Sequence, residues 1–170
     1  IYKSGTLQFL IADVSGKGVP AALFMALSRI IIRACEVPED GAEERLNCAN
    51  NMIASNSGSA TSGMFVTLFF AKLCEDDASL IYSNAGHNPP LLLRSSKSSI
   101  EALEVTGPAL GMMADMEYEK RTIHLKPGDI LLLYTDGIEE AMNGKEELFG
   151  MERLRSSLAA AKSLSAKGIQ

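Results

Sequence analysis

Two aspartates stand where an apolar run of the sequence gives way to a glycine-bearing turn. Asp13 follows the apolar residues 9–12, and Asp136 follows the apolar residues 131–134. Two carboxylates at neighbouring ends of buried strands repel each other, so they would share a proton or bind a cation. Oxygen donors without histidine or cysteine beside them suit a hard ion such as Mg²⁺ or Mn²⁺. The pattern leaves a second interpretation open, in which each aspartate only caps a turn or a helix.

Other motifs for phosphate binding or nucleophilic catalysis are incomplete. The stretch 16–18 (Gly-Lys-Gly) resembles part of a phosphate loop, but Ile11 and Gly18 stand where a Walker A loop needs glycine and Ser/Thr. Ser15 does not fit a nucleophile elbow, because Asp13 occupies the position of the first glycine. A helix that starts after Gly18 still offers backbone N–H groups to an anion.

The sequence contains two histidines, and neither carries a clear chemical signal. His87 lies in the turn 84–90 (Asn-Ala-Gly-His-Asn-Pro-Pro), where a role in turn geometry is favoured over catalysis. His124 lies in an alternating strand pattern, which favours a solvent-facing or hydrogen-bonded side chain. No histidine pair has the spacing of a zinc site on a helix.

The elements that would position these residues follow from hydrophobic patterning. Residues 6–12 predict a buried strand, and residues 19–33 predict a helix with Pro20 in its first turn. This helix is apolar nearly all round, so we expect it to pack on two sides. Residues 56–63 and 163–170 are polar and predict a loop and a tail. Further predicted elements are helices at 42–55, 138–142 and 151–161 and strands at 64–73, 79–84, 90–94, 100–105, 118–125 and 130–134.

Two consecutive helices followed by antiparallel strands indicate an α+β domain in which helices cover sheets. The chain has 170 residues and 46% hydrophobic content, which is enough for a single domain over residues 1–170. Its formal net charge of −5 argues against nucleic acid and anionic membranes as partners. Cys35, Cys48 and Cys74 lack metal-ligand spacing, and we expect them to be reduced, buried thiols of a cytoplasmic protein.

Five motifs, taken in order, resemble one known family. The resemblance is to PPM-type (type 2C) metal-dependent serine/threonine phosphatases, in the bacterial SpoIIE/RsbU-like branch, and it covers roughly residues 7–158. The motifs are DVSGKGVPAA at 13–22, MFVTLF at 64–69, NAGHNPP at 84–90, LGM at 110–112, and YTDGIEEA at 134–141 with FG at 149–150.

The resemblance implies a four-layer α-β-β-α sandwich, with two antiparallel sheets flanked by helices. It also implies a site for two Mn²⁺ or Mg²⁺ ions, in which Asp13 matches the bridging aspartate and Asp136 the aspartate of a later motif. The position of Val14 supplies a backbone carbonyl ligand. The implied reaction is hydrolysis of phosphoserine or phosphothreonine by a metal-bridged hydroxide, without a covalent intermediate.

The same resemblance implies partners and a place in the cell. The usual substrate is a phosphorylated antagonist of an anti-sigma factor in bacterial signal transduction, and a sensor or receiver domain often regulates the phosphatase. We therefore expect a cytoplasmic domain without nucleic-acid or membrane contacts, for which a homodimer is one assembly to consider.

The sequence departs from the family pattern at both ends. None of the 12 residues before Asp13 is acidic, although the family has an acidic motif there, and no aspartate follows Asp136. We therefore expect a core fragment of a longer protein, truncated at both ends, that binds Mn²⁺ weakly and is nearly inactive by itself. The alternative function is a catalytically inactive PPM-like module that binds a phosphorylated partner as a scaffold.

Overall fold

The apolar run near the start of the sequence forms the nine-residue strand β2 (Thr6–Val14), as its strand-forming residues predict. The computed structural model describes residues 2–3, 5–35, 41–55, 63–97 and 99–163. The chain divides into two units: unit 1 is Ile1–His87 with Glu104–His124, and unit 2 is Asn88–Leu103 with Leu125–Gln170. The expectation of one domain over 1–170 stays a prediction.

Unit 1 contains a five-stranded antiparallel sheet and two helices. The strand order is β1-β2-β3-β4-β7, and β2 pairs with β3 along its whole length, from Thr6 opposite Cys74 to Val14 opposite Val66. Strand β1 pairs only with the first two residues of β2. The remaining elements of unit 1 are β1 (Tyr2–Lys3), α1 (Gly18–Ala34), α2 (Ala42–Ser55), β3 (Val66–Cys74), β4 (Ser79–Ala85) and β7 (Arg121–His124).

The core of unit 1 forms where α1 and α2 pack on the sheet. Phe24 and Ile32 of α1, Leu46 and Ile53 of α2 and Leu68 of β3 are all at most 3% exposed. Burial of each such side chain contributes about 1.5–3 kcal/mol. The helices are therefore held by their apolar faces, as the 3.6-residue periodicity predicts.

Unit 2 contains a three-stranded antiparallel sheet and two helices. The strand order is β6-β5-β8, so the three leucines of β5 pair on both sides. Leu91 and Leu93 join Tyr134, Leu154 and Leu158 in one buried cluster. The elements are β5 (Leu91–Leu93), β6 (Ile100–Ala102), β8 (Ile130–Leu132), α3 (Asp136–Glu139), α4 (Gly150–Ala160) and a 3₁₀ turn (Ala161–Ser163).

Several expectations from the sequence are wrong in detail. Asp13 does not follow its strand but is the second-last residue of β2, because the ladder with β3 continues to Val14. The strands predicted at 100–105 and 118–125 are shorter, because only three and four of their residues have a strand partner. Helix α1 does not pack on two sides, since Val19, Leu23 and Ile30 are 72%, 66% and 66% exposed. The loop predicted at 56–63 and the tail at 163–170 lie almost wholly outside the described residues.

The cysteines also differ from expectation. Cys35 at the end of α1 and Cys48 in α2 form a disulfide with a Cα–Cα distance of 6.0 Å, so the prediction of reduced thiols is wrong for this pair. Their spacing of 13 residues gave no sign of pairing, because packing of the two helices brings them together. Cys74 at the end of β3 is not in a disulfide.

The helices that the structure describes include none that is both long enough and apolar enough to span a bilayer.

Candidate active site

Asp13 is held at the end of β2 by the sheet and by its own backbone. It lies opposite Thr67 of β3 and is half-buried. Its carboxylate Oδ1 accepts a hydrogen bond of 2.9 Å from the backbone N–H of Val14. Two residues on, the N–H of Ser15 donates to the carbonyl of Phe65 at 2.9 Å, and the N–H of Phe65 donates to Ser15 Oγ at 2.9 Å. The strand end is thus fixed at Asp13 itself and at the two residues that follow it.

The turn from β2 into α1 depends on two glycines. Gly16 and Gly18 have φ values of +88° and +79°, in the left-handed region that other residues rarely adopt. Lys17 between them is the extended residue before α1, and its side chain makes no capping hydrogen bond. No acidic residue lies in the first turn of α1. The start of this 17-residue helix therefore presents N–H groups and the positive end of its dipole five residues after Asp13.

A second polar chain reaches Asp13 from the turn that contains His87. The hydroxyl of Thr67 lies 3.3 Å from the carbonyl oxygen of Asp13 and 2.9 Å from Nδ1 of His87. His87 is 1% exposed, and its backbone N–H donates to Asn84 Oδ1 at 2.8 Å. The Asn84 side chain in turn donates to the His87 carbonyl at 3.1 Å. The role in turn geometry expected for His87 is visible, and the ring also contacts Thr67.

Gly86 is required by the shape of this turn. Its φ is +65°, and a Cβ atom there would lie 2.9 Å from the backbone nitrogen of Ala109. No larger residue fits this position without movement of the backbone. The tight turn therefore fixes where the His87 ring leaves the main chain.

Asp136 belongs to unit 2 and is exposed. It is the first residue of α3, and its carbonyl accepts a hydrogen bond of 2.9 Å from the N–H of Glu140. Strand β8 ends at Leu132, so Asp136 does not follow its strand directly as the sequence predicted. Glu139 lies in the first turn of α3, where a negative charge is favoured by the helix dipole.

Burial alters the acidity of a tyrosine close to Asp136. The side chain of Tyr134 is 3% exposed, and burial raises the pKa of its hydroxyl above the ordinary value. The negative charge of Glu139 raises this pKa further. Tyr134 is therefore a neutral donor at physiological pH rather than a second negative charge beside Asp136.

The donor atoms of the predicted ligands are all oxygens, the type that divalent hard cations prefer. The Asp13 carboxylate and the Val14 carbonyl are oxygen donors on one strand end, and Asp136 is a carboxylate at a helix start. Hard cations prefer such donors, and Mg²⁺ often keeps several waters beside one or two carboxylates. Among the residues that the structure describes there is no group of three or more His, Cys, Asp or Glu side chains that could hold a metal. A complete cage of protein ligands is thus not formed by the described residues.

Two groups of supporting residues were not identified from the sequence. Thr67 lies in one of the quoted motifs, but nothing in the sequence showed that its hydroxyl would lie between Asp13 and His87. On α2, Asn47 and Asn50 bind the backbone of the segment 111–118 with their side chains. Polar residues three apart on an otherwise apolar helix face are the signal that could have indicated this role.

The family follows from a comparison over nearly the whole chain. A family model described as Stage II sporulation protein E (SpoIIE) matches residues 3–169. The chain belongs to the SpoIIE family. The resemblance drawn from the five motifs is thereby confirmed.

Relatives of this SpoIIE-family chain support the same assignment. The chain is 32% identical to phosphoserine phosphatase RsbU of Bacillus subtilis over 137 residues. This matched region makes up 79% of this chain and 39% of RsbU. The chain spans 28% to 39% of the length of the curated relatives that it matches.

Solved structures show the fold of the SpoIIE-family chain. The SiaA-PP2C domain of Pseudomonas aeruginosa matches with a TM-score of 0.83 and 18% identity, over 99% of this chain and 67% of that one. RsbX in complex with magnesium matches with a TM-score of 0.71 and 18% identity, over 99% of this chain and 73% of that one. The predicted α+β fold with two antiparallel sheets is therefore confirmed as a PP2C-type fold.

Proposed function

We propose that this SpoIIE-family chain carries the catalytic residues of a bacterial protein serine/threonine phosphatase. The observation that carries the proposal is the fixed carboxylate of Asp13, at the end of β2 and five residues before the uncapped start of α1. A phosphate ester needs cationic and N–H groups around its oxygens, and a carboxylate that binds metal beside a helix start offers both. The name of RsbU, a phosphoserine phosphatase, agrees with this reaction.

The proposed metal ligands are the carboxylates of Asp13 and Asp136 and the backbone carbonyl of Val14. We propose two Mn²⁺ or Mg²⁺ ions, and the magnesium named for the RsbX structure supports the choice of a hard cation. Bound divalent ions supply an acidified water as the nucleophile and charge stabilisation for the phosphoryl oxygens. The chain's own part is to hold the Asp13 carboxylate in one direction, which the Val14 N–H does at 2.9 Å.

The proposed substrate is a phosphoserine or phosphothreonine on a cytoplasmic regulatory protein, of the type that antagonises an anti-sigma factor. The kinship with RsbU supports a role in signal transduction, and a sensor or receiver domain in the same protein is the proposed regulator. The net charge of −5 disfavours nucleic acid and anionic lipid as alternative targets.

Substitution of the two aspartates tests the site. In the whole natural protein that carries this sequence, Asp13→Asn and Asp136→Asn should each lower Mn²⁺-dependent turnover of a phosphoserine protein by at least about 100-fold, because each removes a charged ligand. Asp76→Asn, which changes an exposed loop aspartate, is the matched control and should retain full activity. Retained turnover in either site variant, with an unchanged melting temperature, would refute the ligand assignment.

A catalytically inactive binding module is the second candidate. It is favoured by one observation, that the described residues contain no cluster of three or more metal-binding side chains. This candidate requires that the whole protein bind a phosphorylated partner but fail to turn it over at saturating Mn²⁺. Metal-dependent release of phosphate by the whole protein would exclude it.

A further inference from the structure

We propose that His87 is a positioning residue for Asp13 and that it acts through the hydroxyl of Thr67. The inference rests on the proposed function only in taking Asp13 as a metal ligand. Its structural part concerns the metal-free chain, so it can be tested separately. All three residues belong to unit 1.

The direction of the hydrogen bonds follows from the single proton of the Thr67 hydroxyl. The Asp13 carbonyl oxygen, 3.3 Å away, can only accept, so a hydrogen bond between the two uses the Thr67 proton, and we take this bond as formed. The Thr67 oxygen is then left to accept from its other neighbour, Nδ1 of His87 at 2.9 Å. This arrangement requires that His87 carry a proton on Nδ1. The chain of donors runs from His87 to Thr67 to Asp13, and each bond polarises the next.

The peptide group between Asp13 and Val14 transmits this contact to the carboxylate. Its carbonyl end lies at the Thr67 hydroxyl, and its N–H end donates to Asp13 Oδ1 at 2.9 Å. Because the peptide group is planar, its two ends cannot turn independently. A contact that fixes the carbonyl therefore also fixes the N–H that directs the Asp13 carboxylate.

The turn around His87 makes the imidazole a rigid support. The ring is 1% exposed, and Asn84 closes the turn by hydrogen bonds of 2.8 Å and 3.1 Å to the His87 backbone. The backbone N–H of Asn84 is itself held by Thr106 Oγ1 at 2.8 Å. Groups that hydrogen-bond to a metal-binding residue fix the direction in which that residue points. The rigid turn around His87 would do this for Asp13 through Thr67.

The first experiment reads the tautomer of His87 in the metal-free chain. The sequence has only two histidines, so long-range ¹H–¹⁵N spectra of ¹⁵N-histidine-labelled protein resolve both rings, with exposed His124 as the internal reference. We expect His87 to be protonated at Nδ1. Protonation only at Nε2 would make Thr67 the donor to His87, and this result would overturn the proposal.

The second experiment removes the Thr67 hydroxyl while keeping the shape of the side chain. Thr67→Val should speed hydrogen exchange of the Val14 amide at least about fivefold in the metal-free chain, because its peptide group loses the contact with the Thr67 hydroxyl. Thr67→Ser keeps the hydroxyl and should restore slow exchange. The control is Ser95→Ala, which removes a hydroxyl that donates to the carbonyl of Pro127 at 3.1 Å within unit 2.

The third experiment measures Mn²⁺ binding by paramagnetic relaxation in the same variants. Thr67→Val should weaken binding about 10- to 100-fold, the usual effect of losing a group that supports a ligand. His87→Asn, which keeps an N–H near the position of Nδ1, should retain more affinity than His87→Ala. Equal affinities for Thr67→Val and Ser95→Ala would overturn the positioning role.

Failure of the proposed function gives a different result from failure of this inference. If the wild-type chain and the whole protein bind no Mn²⁺ and release no phosphate, the metal assignment of Asp13 is wrong. The tautomer of His87 and the exchange of the Val14 amide are read without metal. Normal metal binding together with an unchanged Val14 amide in Thr67→Val would instead refute the positioning role alone.

Discussion

Among single side chains, Asp129 illustrates how a buried carboxylate is kept charged. Its side chain is 2% exposed, and burial alone would raise its pKa. The backbone N–H groups of Ser95 and Lys126 donate to it at 2.8 Å and 3.0 Å, and the Arg94 guanidinium donates at 3.0 Å. These bonds outweigh burial, so the pKa of Asp129 lies below the ordinary value.

A pH dependence of stability follows from this lowered pKa. Asp129→Asn should reduce the free energy of unfolding by about 1–3 kcal/mol at pH 7, because three donors lose a charged acceptor. A carboxyl group whose pKa is lowered by folding stabilises the folded state fully at pH values above its unfolded pKa, which is about 3.9. The stabilisation is lost as the pH falls from there through the lower pKa of the folded state. Urea denaturation should show the difference between variant and wild type shrinking below about pH 4. A difference that stays constant from pH 7 to pH 3 would contradict the prediction.

The sequence indicated the side chains of the site better than the side chains around it. Motif and strand pattern point to Asp13 and Asp136, because a carboxylate beside glycines is a local signal, and their assignment as ligands stays a prediction. The link from Thr67 to His87 joins residues 20 apart, and the disulfide joins Cys35 to Cys48. Such contacts depend on how elements pack, so no spacing in the sequence predicts them.

Among the elements, helix α2 has a polar role beside its apolar one. Asn50 is fully buried, and its side chain accepts from the N–H of Gly111 at 2.9 Å and donates to the carbonyl of Met113 at 2.9 Å. Its neighbour Asn51 is exposed and accepts from the N–H of Asp115 at 2.8 Å. The segment 111–115 therefore takes its shape from α2 and not from a strand partner.

Substitution of the two asparagines should have unequal effects. Asn50→Ala should lower the free energy of unfolding by about 2 kcal/mol or more, because it removes a fully buried amide that bonds both the Gly111 N–H and the Met113 carbonyl. Asn51→Ala is the matched control on the same helix, and solvent can replace its exposed bond to the Asp115 N–H, so we expect a loss below about 1 kcal/mol. Both are measured by chemical denaturation. Equal losses would show that the segment does not depend on Asn50.

Element boundaries were predictable where the signal was local. Helix α2 has the predicted bounds, and α1 extends the predicted range by one residue at each end, because periodicity and the flanking glycine mark its limits. Strands β6 and β7 are shorter than their patterns, because strand length is set by the partner strand. The sequence pattern contains no information on where that partner ends.

At the scale of the whole molecule, one strand edge and one helix face are open to solvent. The strand edge belongs to β2, on the side away from β3. There β1 pairs only with Thr6 and Leu7, and among the described residues no strand pairs with 9–14. Leu10 on this stretch is 45% exposed. The helix face is the outer face of α1, where Leu23 is 66% exposed. Family and fold class were predictable from the motifs, but these surfaces depend on the three-dimensional arrangement.

The open edge of β2 should make the chain self-associate, because unpaired N–H and carbonyl groups on a strand pair readily with a second copy. Sedimentation velocity should show the average mass rising with concentration. Leu10→Lys should suppress this, since a charge at an edge opposes pairing, whereas Leu7→Lys, on the stretch already paired with β1, should not. A monomer at every concentration would contradict the prediction. Suppression by Leu23→Lys but not by Leu10→Lys would assign the association to α1, because only the outer face of that helix would then be in contact.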